Sequence, residues 1–458
     1  MERFGRSGGW ARALAVLAAL LSITVGAGTG EAKARPLLVL PFQATSPGGG
    51  DDWIGEGLAE SLILAFRSHP AFLPVDRARV RQAIRAAGED PEGPLPERTV
   101  LAVARSVRAE SVLLGEYRRE GGSLTVVPRH LEVRTGGAEA RSGEPLQGSL
   151  DRWKALQGDL VRYYLKALKV AEKPEEVQRL AETAGLTANL TAFEAFVKGR
   201  RAYLRGSQSG YEGAVELFGR AAELDPGFAL AHFELGQAHL ALGNRWKAAA
   251  QFRAASQFDP ASPEPFKALG DLFMSSPRRL YEQAIEAYRR AIGLRPHYAE
   301  AYVGLGDARA AKGDYEAAIA EYQKALDFDP LNARVHFSLG RIYYGEKGLY
   351  YEAVAAYKKA IELDPYFLEA RMGLGEVYEE KGLYDGAIAE YRKVIEVNAR
   401  HPGAHYNLAL SLEKVDVKEA IAQWERYIEL ASQLPSEKDW VDIARQHLKK
   451  LRGLEKGQ

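Results

Sequence analysis

From about Ala192 onward, apolar and polar positions follow a helical period, and the same arrangement returns again and again. Between Ala299 and Asn332, Tyr302, Leu305 and Gly306 occupy the packing positions of a first helix. Ala318, Tyr322 and Ala325 stand at i, i+4 and i+7, one face of a second helix. The alanines let the two helices approach closely, at roughly 8–10 Å between axes. Gly313 suits the left-handed residue that ends a helix without a side-chain penalty. Asp329-Pro330 closes the unit, because the residue before proline is pushed out of the helical region.

The same grid fits the neighbouring stretches. Leu235, Gly236, Gly243, Ala248, Phe252, Ala255 and Pro260 fill it without an insertion. Gly270, Ala284, Tyr288, Ala291 and Pro296 fill it with two extra residues around Pro277. Gly340, Tyr343, Gly348, Ala353, Tyr357, Ala360 and Pro365 need one extra. Gly375, Tyr378, Gly382, Tyr384, Ala387 and Tyr391 continue the series, with Val394 in place of the last alanine. An earlier unit holds Gly199, Ala214, Phe218, Ala221 and Pro226, and a later, degenerate one holds Leu408, Ala409, Ala420 and Trp424. Pro226, Pro260, Pro296, Pro330 and Pro365 are spaced by 34, 36, 34 and 35 residues, and Pro402 follows after 37.

A period near 34 with these residues resembles the tetratricopeptide repeat family, whose helix pairs stack into a solenoid. The match is loose where Arg309 takes an aromatic position. The resemblance implies seven repeats over residues 192–432 and marks the grid residues as core. Asp439 to Leu451 then reads as an amphipathic capping helix with Trp440, Ile443, Ala444 and Leu448 on its packed side.

In that family the first helices line a concave surface, so the resemblance implies a groove along them. It would carry Glu264, Asp271, Glu300, Asp307, Glu369, Glu376, Glu379 and Glu380, with Lys267, Arg334 and Arg341 as the fewer basic residues. Phe233, Phe337, Tyr344 and Tyr406 supply apolar faces. The implied partner is an extended or helical protein segment with basic and apolar side chains. The alternative is that these charges simply solvate a solenoid face. Lys267 and Asn407 lie too far apart in the array to form the carboxylate clamp of some such domains.

Ahead of the repeats the pattern changes to alternating strands and helices. Leu37 to Phe42 reads as a buried strand, and Asp52 to Arg67 as a helix with Ile54, Leu58, Leu62 and Ala65 on one face. Phe72 to Val75 reads as a second strand, followed by helices from Arg77 and Arg98. Ser111 to Tyr117 and Ser123 to Val133 form a hairpin around Glu120-Gly121-Gly122, and a helix spans about Leu150 to Lys169. Val39-Leu40-Pro41-Phe42, Gly55 to Leu62 and Val112 to Tyr117 resemble the amino-terminal domain of TolB-type envelope proteins, a family in which it binds or docks. The expected organisation is a leader over 1–34, an α/β domain over 35–170, a linker over 171–191, the repeats, and a capping helix with its tail over 433–458.

Lys plus Arg and Asp plus Glu balance at 61 each in 458 residues, so no global field favours nucleic acid. Arg3, Arg6 and Arg12 precede an apolar run from Ala13 to Ala27, which suits a secretory signal ending near Val25-Gly26-Ala27 or Ala32-Lys33-Ala34. An uncleaved membrane anchor is the alternative. Cysteine is absent, which removes disulfides, thiolate metal sites and lipid attachment at cysteine.

Catalytic and metal motifs are weak. Gly48-Gly49-Gly50-Asp51-Asp52 lacks the Lys-Ser/Thr of a phosphate loop, and its acidic pair repels anions. Gly5 to Gly9 matches Gly-x-Ser-x-Gly inside the leader with no strand before it. His401 and His405 are four apart, but Pro402 and Gly403 intervene and no third ligand is evident. His232 and His336 share one repeat position, which marks them as packing or groove residues. No cofactor is expected.

The expected architecture is therefore multidomain, α/β plus all-α: a small α/β domain, then an α-solenoid of seven helix pairs and a cap. The expected function is a non-catalytic protein-binding scaffold or adaptor, exported to the periplasm. A sensor, whose α/β domain binds a small ligand and controls the groove, is the alternative.

Overall fold

The computed structural model describes residues 35–45, 52–134, 137–170, 172–184 and 187–455. The leader and the glycine cluster before Asp52 lie outside the described residues. Internal packing divides the chain into two units, one through Ala188 and one from Asn189 onward.

The first unit is built on a mixed sheet. Strand β1 (Arg35–Val39) lies between β3 (Phe72–Pro74) and β4 (Ser111–Glu120), parallel to both. β4 turns into β5 (Ser123–Arg134) through Gly121 and Gly122, with Glu120 opposite Ser123. Gly121 takes a φ of 62°, which the tight reversal requires. Along β5, Leu124, Val126 and His130 are buried at every second or fourth residue, the period of a strand with one face on a core. The short β2 (Gln43–Ala44) pairs with β4. Strands β6 (Gly137–Ser142) and β7 (Leu146–Ser149), which the sequence pattern does not announce, pair with the two ends of β5.

Helix α1 (Trp53–Arg67) buries Ile54, Leu58, Leu62 and Ala65, the expected face. Its Gly55 is needed for contact: an added Cβ would sit 1.9 Å from the carbonyl oxygen of Phe42. α1 also buries Glu56 and Glu60, and Arg77 of α2 (Arg77–Ala86) pairs with both, at 3.5 Å for Glu60. Helices α3 (Glu97–Ser106) and α4 (Trp153–Ala167) complete the expected set.

The stretch expected as a linker over 171–191 is not one throughout. Pro174–Ala184 forms a helix, α5, packed against α1 and α4. Its Leu180 and Ala181 are buried, and Gly158 on α4 leaves room for Ala181. His69 Nε2 and Glu172 Oε1, 2.7 Å apart, fasten the chain just before this helix.

In the second unit the described residues contain seven helix pairs. They are α6 (Leu190–Tyr203) with α7 (Gln208–Leu224), α8 (Ala229–Ala241) with α9 (Arg245–Phe258), and α10 (Glu264–Met274) with α11 (Tyr281–Leu294). Then come α12 (Ala299–Lys312) with α13 (Tyr315–Phe328), and α14 (Ala333–Arg341) with α15 (Tyr350–Leu363). Last are α16 (Leu368–Glu380) with α17 (Tyr384–Val397), and α18 (Pro402–Leu412) with α19 (Val417–Ala431). First helices of neighbouring pairs touch, α14 with α16 and α16 with α18 among them, more than second helices do. That asymmetry puts the first helices on the inner side of the stack.

Gly313 takes a φ of 87°, the left-handed cap expected of it. The extra residue of the fifth pair is absorbed by a π-turn over Ile342–Glu346, where Lys347 N bonds to Ile342 O at 3.2 Å.

The closing helix α20 (Lys438–Glu455) buries Val441, Ala444, Leu448 and Leu451. Its packed face is turned from the expected one: Trp440 is 51% exposed and Ile443 36%. Trp440 still meets the Tyr406 ring edge-on at 5.6 Å.

Candidate functional site

One aromatic column threads the second unit, contributed by the same position of each second helix. It comprises Phe218, Phe252, Tyr288, Tyr322, Tyr357, Tyr391 and Trp424, all essentially buried. From the third pair onward each ring carries a polar atom that points toward the first helices. Tyr288 Oη donates to Asp271 Oδ1 at 2.7 Å, and Tyr322 Oη to Asp307 Oδ1 at 2.6 Å. Tyr391 Oη donates to Glu379 Oε2 at 3.2 Å, and Trp424 Nε1 to Glu413 Oε1 at 2.8 Å. Burial and the facing carboxylates push the phenols of Tyr288 and Tyr322 far up, so both remain donors.

Tyr357 breaks the rule. It is 2% exposed, yet no group among the described residues pairs with its hydroxyl. The helix position that supplies Asp271 and Asp307 in the third and fourth pairs holds Arg341 in the fifth. The ring is clasped by two glycines: a Cβ on Gly340 or on Gly373 would come within 2.7 Å of it. Gly373 belongs to the next first helix, and its Cβ would also lie 3.0 Å from Tyr357 Oη. At the equivalent position Ser338 stands beside Tyr322 and Asn407 beside Tyr391, so those hydroxyls gain a neighbour that Tyr357 lacks.

This geometry sorts the residues expected to line the groove. Asp271 is held by Tyr288 and by Lys267, whose ammonium is 2.8 Å away. Asp307 holds Tyr322 and meets Arg334 at 3.4 Å. Glu264 is locked to Arg295 at 2.6 Å; burial raises its carboxyl, but Arg295 and Ser262 more than offset this and hold it low. Phe233 packs on Phe252 at 5.6 Å, and Tyr406 is packed among Trp424, Tyr427 and Trp440. These side chains stabilise the array more than they offer free chemistry. Glu300 and Glu369 are exposed on the first helices.

The remaining residues gather around the fifth and sixth pairs. Phe337 packs against Tyr357 at 6.0 Å and Phe367 at 4.9 Å, and the exposed Arg341 lies over the Phe337 ring at 6.0 Å. Arg341 meets no carboxylate among the described residues, unlike Lys267 and Arg334. Glu376 and Glu379 lie one helical turn apart on α16. Partial burial and the Glu379 charge raise the Glu376 carboxyl above the usual range, with Asn407 pulling it back. Burial raises Glu379, opposed by the hydrogen bond from Tyr391 and by the nearby Ser411 hydroxyl. No cation among the described residues neutralises either one. The π-turn carries Tyr344 beside this pair, where its ring meets Tyr350 at 6.1 Å and its hydroxyl reaches Glu380. Sequence reading assigns Tyr357 to the core alone; the signal that singles out its hydroxyl is the basic residue at 341 combined with glycine at 373.

His405 and His232, on first helices, act structurally. His405 Nδ1 meets Gln423 at 2.8 Å and its Nε2 meets Ala399 O at 3.2 Å, the same pairing that His232 makes with Gln251 and Pro226 O. His401 caps α18, accepting from Ala404 N at 3.1 Å. Among the described residues no group of three or more His, Asp or Glu is arranged to hold a metal ion. No helix among them is long and apolar enough to cross a membrane.

Comparison with known families bears on the second unit. A profile described as TPR repeat matches residues 281–313, 306–347, 344–382 and 378–416, and one described as Tetratricopeptide repeat matches 208–272. The helix pairs within those matches are therefore tetratricopeptide repeats. The mouse protein O-mannosyl-transferase TMTC3 is 25% identical over 151 residues, 30% of this chain and 16% of that protein. The chain thus spans under one fifth of that curated relative. Among solved structures, MamA aligns with 29% identity and a TM-score of 0.33, covering 36% of this chain and 94% of its own. YrrB, described as a TPR protein with an unusual peptide-binding site, aligns with 24% identity and a TM-score of 0.37, covering 44% of this chain and 99% of its own.

Proposed function

We propose that this protein is a non-catalytic scaffold that holds an extended segment of a partner protein along the inner face of its repeats. Tetratricopeptide proteins generally mediate protein–protein interactions. The observation that carries the reading is the uneven use of inner-face polar groups. Several are consumed in holding the aromatic column, whereas at one repeat junction Tyr357 has no protein partner among the described residues, and Glu376 and Glu379, hydrogen-bonded to Asn407 and Tyr391, have no cation among them.

The basic and apolar leader supports export, so the scaffold is proposed to work in the cell envelope. The α/β unit, with its likeness to the amino-terminal domain of TolB-type proteins, is proposed as a second docking surface. Its buried Arg77–Glu56–Glu60 cluster is structural rather than reactive.

The test is capture of partners from an envelope extract by the full chain and by a groove-blocked form, Glu300→Trp with Glu369→Trp. Both positions are exposed on first helices, so the fold is retained. Partners lost with the blocked form and kept by Tyr351→Ala, at a side chain 91% exposed on a second helix, support the reading. Partners indifferent to both changes contradict it.

A further inference from the structure

The geometry points to a subsite at the junction of the fifth and sixth repeats that reads one basic side chain, lysine or arginine, of an extended partner segment. The inference rests on the groove reading and narrows it to a place and a chemistry.

Two independent observations meet there. The first is electrostatic. Three other carboxylates of the first helices already have cations: Lys267 for Asp271, Arg334 for Asp307, Arg295 for Glu264. Glu376 and Glu379, one helical turn apart on α16, have none among the described residues, and the Glu379 charge adds to the cost of ionising Glu376. An ammonium or guanidinium group placed between them would remove that repulsion and gain charge-assisted hydrogen bonds.

The second is the orphan hydroxyl. Tyr357 is almost fully buried, but its Oη has no partner among the described residues and faces the backbone of Gly373, one turn before Glu376. The Oη itself is not sealed from solvent, so it stays a free donor for whatever lies against it. A carbonyl of the partner's main chain fits that role, since an extended strand presents one at every second residue on a given side.

The π-turn explains why the site is here and not at another junction. Its extra residue re-aims the end of the fifth first helix, setting Tyr344 next to Tyr350 and Glu380 at the rim. π-turns inside helices are uncommon and recur at functional sites. Tyr344 offers a ring face against which the aliphatic stem or the charged head of the basic side chain can lie. Arg341, lying over Phe337 on the other flank, bars a second cation from that side and so fixes which way the charge must point.

The test is panning of a randomised twelve-residue peptide library on the full-length protein, beside the Glu376→Gln/Glu379→Gln and Tyr357→Phe forms. Lysine and arginine should be enriched at one position of the pool bound by the natural sequence, by about tenfold. That enrichment should vanish with the double glutamine form, which removes like-charge repulsion and is expected to fold at least as well. Tyr357→Phe should weaken retention of the pool while leaving the basic preference in place. A pool without basic enrichment, or one equally basic on the glutamine form, overturns the subsite but leaves the groove intact. No enriched pool on any form overturns the groove reading and the subsite with it.

Discussion

Tyr322 and Asp307 stand hydroxyl to carboxylate at 2.6 Å, whereas the matching residues one repeat later, Tyr357 and Arg341, provide no such acceptor. The same scaffold position thus performs a packing task in one repeat and is released from it in the next. Replacing Asp307 by Ala should strip the Tyr322 hydroxyl of its charged acceptor and destabilise the repeat unit by about 1–3 kcal/mol. Arg341→Asp should do the reverse, raising the melting temperature by giving Tyr357 an acceptor. Calorimetry on both forms checks this; a lowered melting temperature for Arg341→Asp would contradict the pairing.

Gly373 and Gly293 provide a contrast in sign. An added Cβ at Gly373 would lie 2.7 Å from the Tyr357 ring, whereas nothing lies within 4 Å at Gly293. Gly293→Ala should stabilise by about 0.5–1 kcal/mol through reduced chain entropy. Gly373→Ala should lose that gain to overpacking of about 1–3 kcal/mol and unfold at lower denaturant. Equal midpoints for the two forms would mean that the ring does not pack as described.

The α/β unit depends on one cation. Arg77 serves two buried carboxylates, Glu56 and Glu60, so Arg77→Ala leaves both without it. The expected cost is about 3–5 kcal/mol, enough to unfold a unit of ordinary stability. Proteolysis should then cut the segment before Asn189 while sparing the repeats. Resistance equal to that of the natural sequence would remove the cluster's structural importance.

Glu376 and Glu379 titrate above 4.5, the ordinary glutamate value, because of burial and, for Glu376, its acidic neighbour. Asn407, Tyr391 and Ser411 oppose the rise, and Tyr344 and Tyr357 also face this wall. With folded values raised, the stability the pair contributes is complete when protonated and lost as pH rises through those values. Binding of a basic segment has the opposite sign, since it needs both charges. Affinity for a lysine-containing peptide selected from the library should therefore fall between neutral pH and the region just above 4.5. An affinity that holds constant down to 4.5 would show that neither carboxylate takes part.

The repeat array was legible because its packing is periodic. Ala318, Tyr322 and Ala325 face a partner helix for reasons of size and spacing that any one sequence displays. Less legible were features that depend on neighbours distant in the chain. Strands β6 and β7 are short and polar, and exist because β5 offers both ends for pairing. Helix α5 has few apolar residues, and Leu180 and Ala181 suffice only because α1 and α4 receive them. Trp440 looked like the anchor of the closing helix by hydrophobicity, yet Val441, Ala444, Leu448 and Leu451 share a truer helical stripe. Of the groove, residue types and positions could be read, but not which charges were already consumed. Asp271 and Asp307 are indistinguishable from Glu376 until the tyrosine hydroxyls are placed.

The most direct test of a segment held on the inner face is site-specific photo-crosslinking in cells that make the protein. A benzophenone amino acid at Tyr344, on the inner rim, is compared with one at Tyr351, 91% exposed on a second helix. The account predicts a discrete protein adduct at position 344, mapping to one short segment of the partner with a basic residue, and none at 351. Adducts at 351 with none at 344 would contradict it.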